Sequence, residues 1–112
     1  MTRASRRTVT LTIGFLAVGL GLPSLTRAQN DAEKTYKTNC GLCHAADGSG
    51  SSPSGKALKA QDLRSDAVQK KSDAELTTAV SQGKGKMPAF AKKLKPDDIA
   101  QLVAYIRTLP KK

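Results

Sequence analysis

The chain has 112 residues, 38% hydrophobic and 25% charged, with 19 Lys and Arg against 9 Asp and Glu and a net charge of +10. That length makes one small domain, and 2 cysteines plus 1 histidine are too few for a four-ligand structural zinc site. The positive charge comes without aromatic interleaving or a nucleic-acid motif, so it speaks against a nucleic-acid partner and for solubility or a basic docking face.

The first element is a leader. Arg3, Arg6 and Arg7 precede an apolar run from Val9 to Leu22, Pro23 breaks the run, and Thr26-Arg27-Ala28 places small residues at −3 and −1. This pattern predicts a secretory signal peptide over residues 1–28, followed by one domain over residues 29–112. The run is shorter than the roughly 20 apolar residues of a membrane span. The alternative is an uncleaved N-terminal segment that anchors the protein. Cleavage removes four Arg and leaves 15 basic and 9 acidic residues, a net charge of +6.

A helix is expected from about Asp31 to Asn39, because Ala32, Tyr36, Cys40 and Cys43 recur at helical spacing. Asp47-Gly48-Ser49-Gly50-Ser51-Ser52-Pro53 is loop chemistry, and Ala57 to Leu63 is expected to hold a short helical turn. Ser72-Asp73-Ala74-Glu75 is a capping box that opens a second helix, with Leu76, Ala79 and Val80 on one face and Gly83 as its stop. Gly83 to Pro88 is again a loop. A third helix starts at Pro96 with Asp97 and Asp98 at the positive end of its dipole. Its apolar stripe is Ile99, Leu102, Val103, Ile106 and Leu109, and Pro110 ends it. No segment alternates with a period of two. The fold class is therefore all-α with long loops.

Cys40-Gly41-Leu42-Cys43-His44 is the sequence pattern of c-type haem attachment. Two thiols three positions apart match two vinyl groups on neighbouring pyrrole edges, and the next residue, His44, falls beneath the iron as proximal ligand. A simple short-loop disulfide is the plainer alternative; a thioredoxin-like motif would need a βαβ setting that is missing. The domain is otherwise thin. It has three aromatics after the leader, Tyr36, Phe90 and Tyr105, and no Trp, so a large planar apolar cofactor would supply the core that so short a chain lacks. Met87 is the only Met left after leader removal, and there is no second His. A lone Met is usually core filler, but this one lies in a Gly/Lys-rich loop before Pro88, as an axial thioether ligand would. Lys84 and Lys86 are nearby alternatives, disfavoured when protonated.

With these residues the chain resembles the class I cytochromes c. It resembles especially the small bacterial monohaem proteins similar to cytochrome c6 and to the haem domains of cbb3-type oxidases. The resemblance runs from Asp31 to Leu109. It rests on Tyr36 four residues before the first Cys, on Cys40, Cys43 and His44, on Met87-Pro88, and on Tyr105-Ile106 in the last helix. It implies a fold in which the first and last helices cross beside one covalent haem c, with Tyr36, Leu102 and Tyr105 at the contact. It also implies haem packing by Tyr36, Pro53, Phe90 and Tyr105, and axial ligation by His44 and Met87. The implied role is single-electron transfer in the periplasm between redox protein partners, with Lys84, Lys86, Lys92, Lys93 and Lys95 as a docking face for acidic ones. The rival roles are a permanent haem subunit of a larger redox complex, and a haem enzyme or gas-binding site with a labile Met87.

The chain departs from the family pattern in four places. Ala32 stands where many members have the Gly of the helix crossing, and Ala45 where many have Gly after the haem His. No Trp is present to serve a haem propionate, which leaves Arg64, Lys56 and loop amides as candidates. Pro53 is the candidate for the proline whose carbonyl accepts from the haem His, at a short spacing after His44.

Overall fold

A computed structural model describes residues 25–112. Six helices follow one another: α1 Leu25–Asn39, α2 Gly41–His44, α3 Pro53–Leu58, α4 Asp66–Gln69, α5 Asp73–Gln82 and α6 Pro96–Thr108. Among the described residues there is no strand, only an isolated bridge between Lys84 and Met87. The all-α expectation is met. Most of the expected leader lies outside the described residues; α1 starts at Leu25 and runs through the expected cleavage point after Ala28, earlier than the Asp31 start read from the sequence.

The two long helices form the frame. α1 packs against α6, and α5 packs on α6 as well. α1 buries Ala32 and Tyr36, and α6 buries Ile99, Leu102, Val103 and Ile106, with Leu109 just beyond its end. The whole apolar stripe read from the sequence therefore faces inward. Tyr36 and Leu102 are the most deeply buried large side chains, and each fully buried side chain of this kind contributes about 2 kcal/mol. Tyr36 meets Tyr105 across the helix pair, with ring centroids 5.2 Å apart and planes tilted by 49°, a geometry that suits two aromatic quadrupoles.

The caps follow the sequence closely. The Ser72 hydroxyl accepts from the Glu75 amide at 3.2 Å, and the Glu75 carboxylate accepts from the Ser72 amide at 2.7 Å. Gly83 ends α5 at φ 75°, ψ 170°. At α6, Pro96 occupies the first turn and the Asp98 carboxylate accepts from the Lys95 amide at 3.1 Å.

The segment between the haem motif and α5 differs from expectation. The short helix is α3, Pro53–Leu58, and it does not extend over Ala57 to Leu63. Ser52 is a capping residue and Pro53 a first-turn proline, so the Ser/Gly-rich stretch that reads as loop ends in a helix start. A left-handed Lys59, φ 56°, stops it. α4 was not legible at all. It is held by side chains from afar: Gln69 Nε2 donates to the carbonyls of Leu63 (2.7 Å) and Ile106 (3.2 Å). Arg107 donates to the Gln69 carbonyl (2.8 Å), the Lys71 carbonyl and Asp73 Oδ1 (2.9 Å). These bonds tie the loop region to α6, beside the buried contact of Val68 with Leu76 and Val103.

Candidate haem site

The haem motif forms a single helical turn. The Cys40 amide donates to the Tyr36 carbonyl at 2.8 Å, which carries the α1 ladder into α2, and the His44 amide donates to the Cys40 carbonyl at 2.9 Å. Cys40 and Cys43 are free thiols, both half-buried. Burial pushes the Cys40 thiol up to about 11, with Cys43 adding to the rise. Leu42, between them, is exposed.

The turn is braced from α3. The Ser52 hydroxyl points at the carbonyls of Leu42 (2.6 Å) and Cys43 (2.9 Å) while accepting from the Gly55 amide at 3.0 Å. Gly55 is buried, and a Cβ there would overlap the carbonyl oxygens of Cys43 and Gly50. Only glycine allows the two backbones to come this close. Beyond the motif, the Gly50 amide donates to the His44 carbonyl at 2.8 Å.

The partner of the His44 ring is Gln61. Its carbonyl lies 3.0 Å from Nδ1. A carbonyl can only accept, so Nδ1 carries the proton and Nε2 keeps a bare lone pair, as a metal-ligating histidine requires. This corrects the expectation for Pro53. Pro53 opens α3 and is exposed, so its carbonyl points along the helix into the intrahelical ladder. Gln61 follows α3 instead, in a segment that returns to the motif. Sequence reasoning missed Ser52, Gly55 and Gln61; the Ser-Pro-x-Gly run was the available signal for the first two, whereas nothing local marks Gln61.

Met87 lies half-buried in the loop after α5. It packs with Leu94 against the buried cluster of Val80, Phe90 and Ile99. The loop is closed by the Met87 amide donating to the Lys84 carbonyl at 3.0 Å and the Lys84 amide to the Met87 carbonyl at 3.2 Å. Phe90 belongs to the cluster that Met87 packs against. Tyr36 and Tyr105 sit together at the α1–α6 contact, and the Tyr36 hydroxyl donates to the Ala45 carbonyl at 2.8 Å. Of the propionate candidates, Lys56 is exposed. Arg64 is engaged elsewhere: its Nε and Nη2 grip the two Asp62 carboxylate oxygens at 2.9 and 3.0 Å.

This grip has a pH signature. The Arg64 guanidinium, through its hydrogen bonds, holds the Asp62 carboxyl at about 2, below the unfolded value of about 3.9. A carboxyl depressed in the folded state stabilises the fold fully above its unfolded pKa and loses that contribution as pH falls toward its folded pKa. Stability should therefore drop between about pH 4 and 2. Asp62→Asn should flatten that part of the denaturant-midpoint profile; an unchanged slope would show the pair to be idle.

The donor set fits a c-type haem. It offers two unpaired thiols on one turn, a histidine with its outer nitrogen free, and a soft thioether in a packed loop. Among the described residues no group of three or more His, Cys, Asp or Glu could hold a metal ion.

The fold is that of a small class I c-type cytochrome. The chain belongs to this cytochrome c family: residues 27–106 match the family model described as "Cytochrome C oxidase, cbb3-type, subunit III". It is 34% identical over 85 residues to cytochrome c6 of Gloeothece citriformis, covering 75% of this chain and 74% of that one. To cytochrome c6 of a Nostoc species it is 32% identical over 98 residues, covering 88% and 86%. Among solved structures it is similar to the KustC0563 c-type cytochrome, with a TM-score of 0.67 and 30% identity over 72% of this chain and 99% of that one. The chain is accordingly a haem-based electron carrier with a covalently bound haem c.

Proposed function

We propose that the protein is an exported single-electron shuttle. In this reading Cys40 and Cys43 hold the haem as thioethers, and His44 and Met87 are its axial ligands. The observation that carries it is the His44 ring: Gln61 fixes Nδ1–H and leaves Nε2 free. When bound, the haem supplies a one-electron iron couple. With both axial positions taken by protein, no position is left for a substrate, which favours outer-sphere transfer over catalysis. The Met87 thioether favours the ferrous state and so raises the potential. Secretion to the periplasm rests on the leader pattern. No helix among the described residues is long and apolar enough to cross a membrane.

Lys84, Lys86, Lys92, Lys93 and Lys95 flank Met87 in sequence and are all exposed, and none is in an ion pair among the described residues. Free, clustered ammonium groups steer acidic partners over distances of about a Debye length, roughly 10 Å at 0.1 M salt. Electron transfer to an acidic redox protein should speed up on the order of tenfold or more as ionic strength is lowered. Charge reversal at Lys92, Lys93 and Lys95 should abolish the dependence. A rate indifferent to salt would remove the docking face from this reading.

The description of the matching family favours a second reading, a permanent haem subunit of a larger redox complex. A stoichiometric partner retained through native purification distinguishes it from a diffusing carrier.

A further inference from the structure

The residue after His44 adopts a conformation that L-amino acids rarely take. Ala45 has φ 61° and ψ 163°, in the extended positive-φ region that is essentially reserved for glycine. Such strain persists only where the surroundings over-determine it. Here they do so through the Ala45 carbonyl, which accepts from the Tyr36 hydroxyl at 2.8 Å and the Gly48 amide at 3.2 Å. Tyr36 has no exposure at all and packs against Tyr105 in a tilted pair, so its phenol has no water to turn to. Burial also raises its pKa, which keeps the hydroxyl a donor. The preceding residue is tied equally firmly: the His44 amide, carbonyl and ring are bound to Cys40, Gly50 and Gln61. The strained link is the one point where this frame works against local preference.

We propose that the Tyr36 hydroxyl is a positioning group for the proximal ligand. By holding the Ala45 carbonyl it keeps the strained residue in place and thereby fixes the orientation of the His44 imidazole. The α1–α6 crossing is in this way coupled directly to the ligand plane, through one phenol. The inference rests on the axial role proposed for His44. It differs from the plain reading of Tyr36 as a buried aromatic whose hydroxyl merely finds an acceptor. Only the positioning role predicts that glycine at position 45 removes the need for the hydroxyl.

Four haem-loaded proteins test it: wild type, Tyr36→Phe, Ala45→Gly and the double variant. Ferric haem-methyl proton shifts report the plane of the axial imidazole, and denaturant unfolding reports stability. Ala45→Gly alone should raise the folding constant roughly fivefold, since strain relief exceeds the entropy cost of glycine. That arm reads the strain whatever the ligand is. Tyr36→Phe should move the methyl shifts, and adding Ala45→Gly should return them to the wild-type pattern. The ligand reading fails separately, through a ferric spectrum that survives His44→Ala unchanged, and takes this inference with it. A Tyr36→Phe shift that glycine does not rescue, or a destabilising Ala45→Gly, overturns the positioning role alone.

Discussion

A Cys40→Ala, Cys43→Ala double variant should carry no covalent haem and show no cooperative unfolding transition. The reason is the size of the core. The described residues bury only eleven apolar side chains. Two of the clusters they form hold three buried residues each: Val68, Leu76 and Val103, and Val80, Phe90 and Ile99. Leu42 in the motif and Leu58 on α3 are exposed, at 72% and 42%. Chains of this length bury too little to offset about 1.5 kcal/mol of conformational entropy per residue with a margin, unless a staple or cofactor adds to the core. Circular dichroism of the double variant should show most of the helical signal gone at 25 °C. Native-like helicity with a sharp melt would mean that the polypeptide folds on its own strength, and that the haem is a passenger.

The second large effect concerns Met87. Met87→Ala should keep the covalent haem, because the thioethers and His44 are untouched. It should lose the far-red ferric band of sulfur ligation, and its midpoint potential should fall on the order of 100 mV or more, within the roughly 0.8 V that axial ligands span. The fold should survive with modest loss, since Met87 lines the edge of the Val80–Phe90–Ile99 cluster and is not part of its buried centre. The opened position should also bind carbon monoxide quickly in the ferrous state, which the wild type should not. A variant that keeps both the band and the potential would exclude Met87 as ligand and direct attention to Lys84 or Lys86.

Much of this was legible because the signals are local. The α6 stripe Ile99, Leu102, Val103, Ile106 and Leu109 is a helical period, and all five are buried. The Ser72–Glu75 box is a four-residue pattern with a fixed geometry, and it forms as read. The Cys40–His44 turn and the Tyr36–Tyr105 pair followed from spacing and from family resemblance. What was missed depends on chain return. Gln61 reaches His44 across seventeen residues, and a backbone carbonyl carries no side-chain identity by which to find it. α4 is fixed by Gln69 and Arg107 acting over about ten turns' worth of sequence separation, which no window sees. Pro53 does not serve the His44 ring because a proline after a serine is also a helix start, and here it opens α3. The sequence shows Ala45 in place of glycine, but the cost lies in its φ of 61°, which only the fold imposes.

In the proposed holoprotein one haem is held covalently by Cys40 and Cys43 and ligated by His44 and Met87. Optical spectra of the protein matured in a periplasm that attaches haem test it most directly. They should be recorded in the ferric and ferrous states, and again after denaturation in alkaline pyridine. The predicted result is a ferrous haemochrome with two saturated vinyl positions that stays with the denatured polypeptide, together with the far-red ferric band before denaturation. Haem that is extracted by acidic organic solvent, or a native ferric spectrum without that band, would contradict it.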